Sequence, residues 1–249
     1  MKTLILHPTL FDLTTTHYPP FQFEEGEVLL FDKPLTWTSF DVVAKVRNTI
    51  RCKKVGHAGT LDPLATGLLV ICTGKKTKTI DHIQAEEKEY LVTMQLGKTT
   101  PSYDLETAFD SESDISHLHQ QEIEEVIKSF IGKIQQIPPA FSAIKVGGER
   151  LYKLARKGKE NNVVIEPRAV TIFSIEILKM ELPEIVFLMT CSKGTYVRSL
   201  VRDIGHRLGV GAYLSALRRT KIGNLRVENA YDVGNFVQHV KSTLHAGIS

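Results

Sequence analysis

Between Gly56 and Lys78 the chain reads GHAGTLDPLATGLLVICTGKKTK, with four glycines, one histidine and a single carboxylate, Asp62. These residue types invite several chemistries, and most of them fail on spacing. Gly74-Lys75-Lys76-Thr77 resembles part of a phosphate loop, but that motif needs a glycine five residues upstream, where Leu69 stands. His57 and Asp62 have no further ligands at metal-binding spacing. A serine triad lacks its nucleophile elbow, since no G-x-S-x-G occurs. That leaves Asp62 acting alone. Pro63 forces an extended backbone at Asp62, and an apolar strand starting at Leu68 anchors the loop from behind. By itself an Asp-Pro pair is ordinarily a turn, and a lone His57 ordinarily a surface or hydrogen-bonded side chain.

The elements that must position this loop are legible on both sides of it. Val28 to Phe31 reads as a strand running into an Asp32-Lys33-Pro34 turn. Thr38 or Ser39 caps a helix with Phe40, Val43, Val46 and Ile50 at helical spacing. Leu68 to Cys72 is continuously apolar, as in a strand buried on both faces. Tyr90 to Leu96 is a further strand. A helix follows with Ile123, Val126, Ile127 and Phe130 on one face, stopped at Gly132. Gly147-Gly148 marks a hairpin and Leu151 to Arg156 a short helix. Val170 to Met180 and Ile185 to Ser192 are adjacent strands joined across Pro183. Thr195 caps a helix with Val197, Leu200, Val201, Ile204 and Leu208 inward, ended by Gly209, with Arg198 and Arg202 sharing another face. Strands and helices mix without regular βαβ alternation, so the expected fold class is α+β.

With 42% hydrophobic and 24% charged residues, the 249-residue chain can bury a sizeable core. Its net charge of +3 hides a strong polarity. Lys45 to Lys78 carries eight Lys/Arg against Asp62 alone, and Lys193 to Arg226 eight against Asp203 alone. Between them, Ser102 to Glu125 holds eight Asp/Glu and no Lys/Arg. A charge run is ordinarily a solvated face, but two basic segments around an acidic one suit a polyanion, nucleic acid first. Cys52, Cys72 and Cys191 are odd in number and widely spaced, which points to a reducing compartment. The N-terminus makes a poor signal peptide, and no apolar stretch is long enough to cross a bilayer, so the expected location is cytoplasmic.

GHAGTLDPLATGLL resembles the signature of the tRNA pseudouridine-55 synthase (TruB) family. So do DKPLTWTSFDVV (32–43), KEYLVTMQLG (88–97), IPPAFSAIKVGGERLYKLARKG (137–158), CSKGTYVRSLVRDIG (191–205) and LRRTKIG (217–223). They stand in the family's order and cover nearly everything from residue 26 to about 230. The resemblance implies a largely antiparallel central sheet with flanking helices and a catalytic cleft. It divides the chain into an irregular arm (1–25), a catalytic domain (26–230) and a tail (231–249) without the PUA-type RNA-binding domain many members carry. Fewer contacts to the rest of the tRNA, and a steeper salt dependence of binding, are the expectation.

The resemblance further implies isomerisation of uridine 55 in the TΨC stem-loop of tRNA by a monomer, with no cofactor, metal or obligate protein partner. Asp62 is then the nucleophile, paired with Arg198, whose charge favours the carboxylate form. Attack on base carbon 6 and on sugar carbon 1′ both remain open. Tyr90 stacks on the uracil and is a candidate to take a proton, Tyr196 lines the pocket, and His57 fills the stack the flipped base leaves. Lys53, Lys54, Lys75, Lys76, Arg202, Arg218 and Arg219 are phosphate-contact candidates. Lys33 is grouped with the substrate-binding residues, though its motif reads as bracing the loop, and Asp104 joins them. Two departures stand out: Thr36 replaces a frequent glycine, and Thr100-Pro101-Ser102-Tyr103-Asp104 replaces T-D-T-x-D, leaving that turn's shape open. A non-catalytic RNA-binding or tRNA-folding protein, and a guide-RNA-dependent pseudouridylase subunit, are the alternative readings.

Overall fold

A computed structural model describes residues 21–142, 145–146, 149–151 and 165–246. The chain forms two compact units, Met1–Glu89 with Arg218–Ser249, and Tyr90–Leu217. The divisions fall inside two strands, β4 (Lys88–Leu96) and β12 (Ala212–Ile222).

In the first unit, β1 (Val28–Lys33) lies antiparallel to β3 (Ala65–Thr73) and parallel to the short β14 (Tyr231–Asp232). β2 (Val55–His57) also pairs with β3, and the end of β12 turns back as a hairpin with β13 (Leu225–Arg226). Alternate residues of a strand face opposite sides, and here both sides are covered. Leu29, Phe31, Leu69 and Ile71 pack with Val42, Val43 and Val46 of α1 (Ser39–Ile50) and with Phe236. Val28, Leu30, Leu68, Val70 and Cys72 pack with Ile83 of α2 (Ile80–Ala85), Ile222 and Leu225. This accounts for the unbroken apolar run in β3. Phe236 belongs to the last helix, Val233–Ala246, and the rings of Phe21 and Phe23 lie 6.1 and 6.5 Å from its ring.

Helix α1 starts with a capping box. Thr38 Oγ1 accepts from the Asp41 amide at 3.1 Å, and the Thr38 amide donates to Asp41 Oδ2 at 2.8 Å. One expected core position is wrong: Phe40 is 64% exposed, because Ser39, Val42, Val43 and Val46 take the inward stripe.

The second unit has β4 on its core face at Tyr90, Val92, Met94 and Leu96. β11 (Glu184–Cys191) alternates in the same way and pairs antiparallel with β10 (Arg168–Glu181), which in turn pairs with β7 (Gly132–Gln136). Short pairs β5 (Lys98–Thr99) with β6 (Ser111–Glu112), and β8 (Lys145–Val146) with β9 (Glu149–Arg150), complete the strands described. The β8–β9 register agrees with the expected hairpin, whose Gly147-Gly148 turn lies outside the described residues, as does the expected helix beyond Leu151. α3 (Gln120–Lys128) buries Ile123 and Ile127, and α4 (Val197–Arg207) buries Val197, Leu200, Val201 and Ile204. Thr195 is not the cap of α4. Tyr196 holds that position, and Thr195 Oγ1 donates to the Ser192 carbonyl instead. The α+β class is observed, with a large, mostly antiparallel sheet. Among the described residues no helix is long and apolar enough to cross a membrane.

Thr36 adopts φ +69°, a left-handed conformation costly for a β-branched residue and open to glycine. The left-handed cost is roughly 1–2 kcal/mol and glycine's entropic cost roughly 0.5–1 kcal/mol. Thr36→Gly is therefore expected to stabilise the protein by about 0.5–1 kcal/mol. Thermal denaturation checks this, and a lowered melting temperature would contradict it.

Candidate active site

Asp62 is half-buried in the first unit, on the loop between β2 and β3. The main chain on either side of it is tied down residue by residue. Before it, the buried Ser39 hydroxyl accepts from the Leu61 amide at 2.8 Å and donates to the Leu61 carbonyl at 3.2 Å. After it, the Pro63 carbonyl accepts from the Thr36 amide at 2.9 Å and from Lys33 Nζ at 3.3 Å. The Ala65 amide donates to the carbonyl of Asp62 itself at 3.1 Å.

Lys33 is fully buried and also donates to the carbonyls of Pro34 (2.9 Å) and Trp37 (2.6 Å). Burial pushes its pKa down to about 8, with the Arg219 charge acting the same way and Asp62 foremost among the carboxylates that oppose it. Grouping Lys33 with the substrate-binding residues is therefore corrected: its ammonium is occupied inside the protein, bracing the loop.

Arg219 needs the same correction. It is 1% exposed, so phosphate contact is closed to it. Nε donates to the Leu68 carbonyl at 2.8 Å, and the two terminal nitrogens to Gly59 (3.1 Å) and Thr60 (3.5 Å). Arg218 points the other way and forms a fork with Asp32, at 3.0 and 2.6 Å. Adjacent strand residues face opposite sides, so an Arg-Arg pair on a strand is the signal that one of them is internal.

His57 is half-buried on β2. Burial first, then the Arg219 charge, lower its pKa below the ordinary 6.5, against a backbone hydrogen bond with Gly59 that raises it. Its side chain is thus expected to be neutral at pH 7. Between the lowered value and 6.5 the unfolded chain binds a proton that native His57 refuses, so this residue's contribution to stability falls as pH falls through that window. Imidazole NMR resonances of His57 should titrate with a midpoint below 6.5; a midpoint above it would refute the assignment.

Lys53 and Lys54 are exposed just before β2. The Lys54 carbonyl accepts from the Gly74 amide at 2.8 Å, which brings both lysines beside Lys75 and the half-buried Lys76. Lys75 is exposed and pairs with Glu25 at 2.5 Å.

In the second unit, Arg198 lies in the first turn of α4 and is 3% exposed. Its terminal nitrogens donate to the carbonyls of Ser102 (3.1 Å) and Phe141 (2.9 Å), and Nε stands 3.6 Å from Asp104 Oδ2. The Thr100–Asp104 turn keeps this aspartate in place although Tyr103 takes φ +63°. Asp104 is itself buried and its Oδ1 accepts from the Glu106 amide at 2.9 Å. The buried Asp104 carboxylate is thus placed to orient Arg198. Ser102 and Gln136, neither of them singled out in the sequence, complete the surroundings. The buried Gln136 accepts from the Tyr196 amide at 2.8 Å, which fixes the main chain where half-buried Tyr196 enters α4. Tyr90 is buried at the start of this unit on β4. Arg202 is held by Asp203 (2.8 Å from Nε) and lies over the Tyr103 ring, 4.9 Å from its centroid. Among the described residues no His/Cys/Asp/Glu group could hold a metal ion.

Residues 47–197 match the TruB family pseudouridylate synthase (N terminal domain), and residues 198–244 the tRNA pseudouridylate synthase B C-terminal domain. The tRNA pseudouridine synthase B of Bacteroides fragilis is 51% identical over 88% of this chain and 95% of its own length. That of Flavobacterium johnsoniae is 50% identical over 89% and 99%. A solved Cbf5–Nop10–Gar1 complex contains a chain similar to 91% of this one, with TM-score 0.71 and 30% identity. This chain spans 58% of that neighbour's length. The motif order, the tethered Asp62 loop and relatives of about half-identical sequence lead to one conclusion: the chain belongs to the TruB family of pseudouridylate synthases.

Proposed function

We propose that this protein isomerises uridine 55, in the TΨC loop of tRNA, to pseudouridine, with Asp62 as the nucleophile. The C1′–N1 bond breaks, C1′ bonds to C5, the C5 proton leaves and N1 gains one, so neither cofactor nor energy source is required. The observation that carries the reading is the loop. Its one carboxylate is half-buried, and the flanking main chain is held by Ser39, Thr36, Lys33 and Arg219. Such tethering suits a covalent catalyst, whose attacking atom must keep its place while the base turns. The tRNA substrate follows from relatives that carry the name tRNA pseudouridine synthase B.

Tyr90 packs against the uracil and takes the proton, Arg198 partners Asp62, and Tyr196 lines the pocket. Neutral His57 fills the gap left by the flipped base, whose extrusion costs about a few kcal/mol. Lys53, Lys54, Lys75, Lys76, Arg202 and Arg218 contact phosphates. The protein works as a cytoplasmic monomer without an obligate protein partner. Its three buried cysteines suit a reducing compartment.

Single-turnover reaction with a TΨC stem-loop RNA tests the proposal. Pseudouridine at one loop position is the expected result. Tight binding without product would overturn it in favour of a binding or tRNA-folding protein.

A further inference from the structure

We infer that Arg219 is a positioning residue for pseudouridine formation, its buried guanidinium clamping the two stems of the Asp62 loop to each other. The inference rests on Asp62 being the nucleophile. Gly59 and Thr60, which lead into the loop, and Leu68, which follows it, all accept hydrogen bonds from this one side chain through their carbonyls. Strand register makes that possible. On one side of Gly67 in β3 stands Lys33, its β1 partner, and on the other the main chain of Arg219 in β12. Two buried cations therefore flank the root of the loop, Lys33 reaching Pro63 and Arg219 reaching Gly59, Thr60 and Leu68.

Arg219 heads the fully buried side chains by size. Burying a guanidinium costs several kcal/mol unless its donors are satisfied, and an apolar residue would fill a core position without that cost. The planar fork does what no apolar residue can: it sets the spacing of loop carbonyls that are eight and nine residues apart in sequence. Lysine keeps the charge but loses the fork. A misplacement of about 1 Å at a reacting group costs on the order of 100-fold in rate.

The test compares wild type, Arg219→Lys, Arg219→Gln and Asp62→Ala, measuring the single-turnover rate constant and the Kd for a TΨC stem-loop separately. Arg219→Lys should lower the rate constant about 10-fold and Arg219→Gln about 100-fold, with Kd within about twofold of wild type. Amide hydrogen exchange in folded Arg219→Lys should quicken selectively between residues 59 and 65. A folded Arg219→Lys with the wild-type rate constant and exchange would overturn the inference. So would a weaker Kd with the rate constant unchanged, and a salt slope reduced by about one, the mark of a lost phosphate contact. If Arg219→Gln does not fold, Arg219→Lys decides alone. Activity remaining in Asp62→Ala would defeat the nucleophile reading itself, whereas an inactive Asp62→Ala beside a fully active Arg219→Lys would defeat only the role of Arg219.

Discussion

Asp62→Asn is expected to lower the rate of pseudouridine formation by at least about 10⁴-fold, equivalent to about 5.5 kcal/mol of barrier. Asparagine keeps the shape of the side chain but cannot form and release the covalent adduct. The loop's anchors do not depend on the carboxylate: Leu61 is held by Ser39, Pro63 by Thr36 and Lys33, and Ala65 by the Asp62 main chain. RNA affinity should accordingly stay within about threefold, and the melting temperature within about 2 °C. Single-turnover conversion of a TΨC stem-loop, with binding measured on the same preparations, checks this. Product at one per cent of the wild-type rate or more would show that another group attacks. Residual activity that is lowest in fresh Asn samples and grows on storage would point to deamidation, which Asp62→Ala excludes.

Gly67→Ala is expected to be strongly destabilising, costing about 3–5 kcal/mol and lowering the melting temperature by roughly 10 °C. Gly67 combines φ +98° with a close approach of strands. A Cβ there would lie 2.3 Å from the Arg219 carbonyl oxygen and 2.8 Å from its amide nitrogen. Both atoms are main chain, so no side-chain rotation relieves the clash. Parting the strands would also pull Arg219 from Gly59 and Leu68, so activity should fall in the fraction that folds. Gly132→Ala is the control. Gly132 also has positive φ, +114°, but nothing lies within 4 Å of its added Cβ, and only the conformational cost of about 1–2 kcal/mol applies. Equal losses from the two substitutions would show that close strand contact is not what requires glycine at position 67.

Both predictions concern features the sequence displayed in different degrees. The isolation of Asp62, the rigid apolar strand behind it and the basic stretches around it could be read from residue types. Local periodicity reports how a segment buries itself, and so β1, β3, β4, β10, β11 and the helices α1 and α4 were legible. The same logic failed at Phe40, where a polar residue, Ser39, takes the inward position because the Leu61 main chain offers it both a donor and an acceptor. It also failed at Thr195, which satisfies the Ser192 carbonyl rather than the end of α4.

The basic residues divide more sharply. Nothing in the residue types marked Lys33, Arg198 and Arg219 as internal, yet each is almost wholly buried and donates to main-chain carbonyls. Arg218 and Arg219 are neighbours, but one reaches Asp32 across 186 positions and the other grips the Asp62 loop. The sequence by itself determined the elements, the family and the carboxylate proposed to react, because these depend on short-range pattern and motif. Only the tertiary structure decided that Arg219 is drawn inside to brace the loop while its neighbour Arg218 reaches Asp32 instead. That choice depends on the pairing register of strands far apart in the chain, where a shift of one residue exchanges the inner and outer faces.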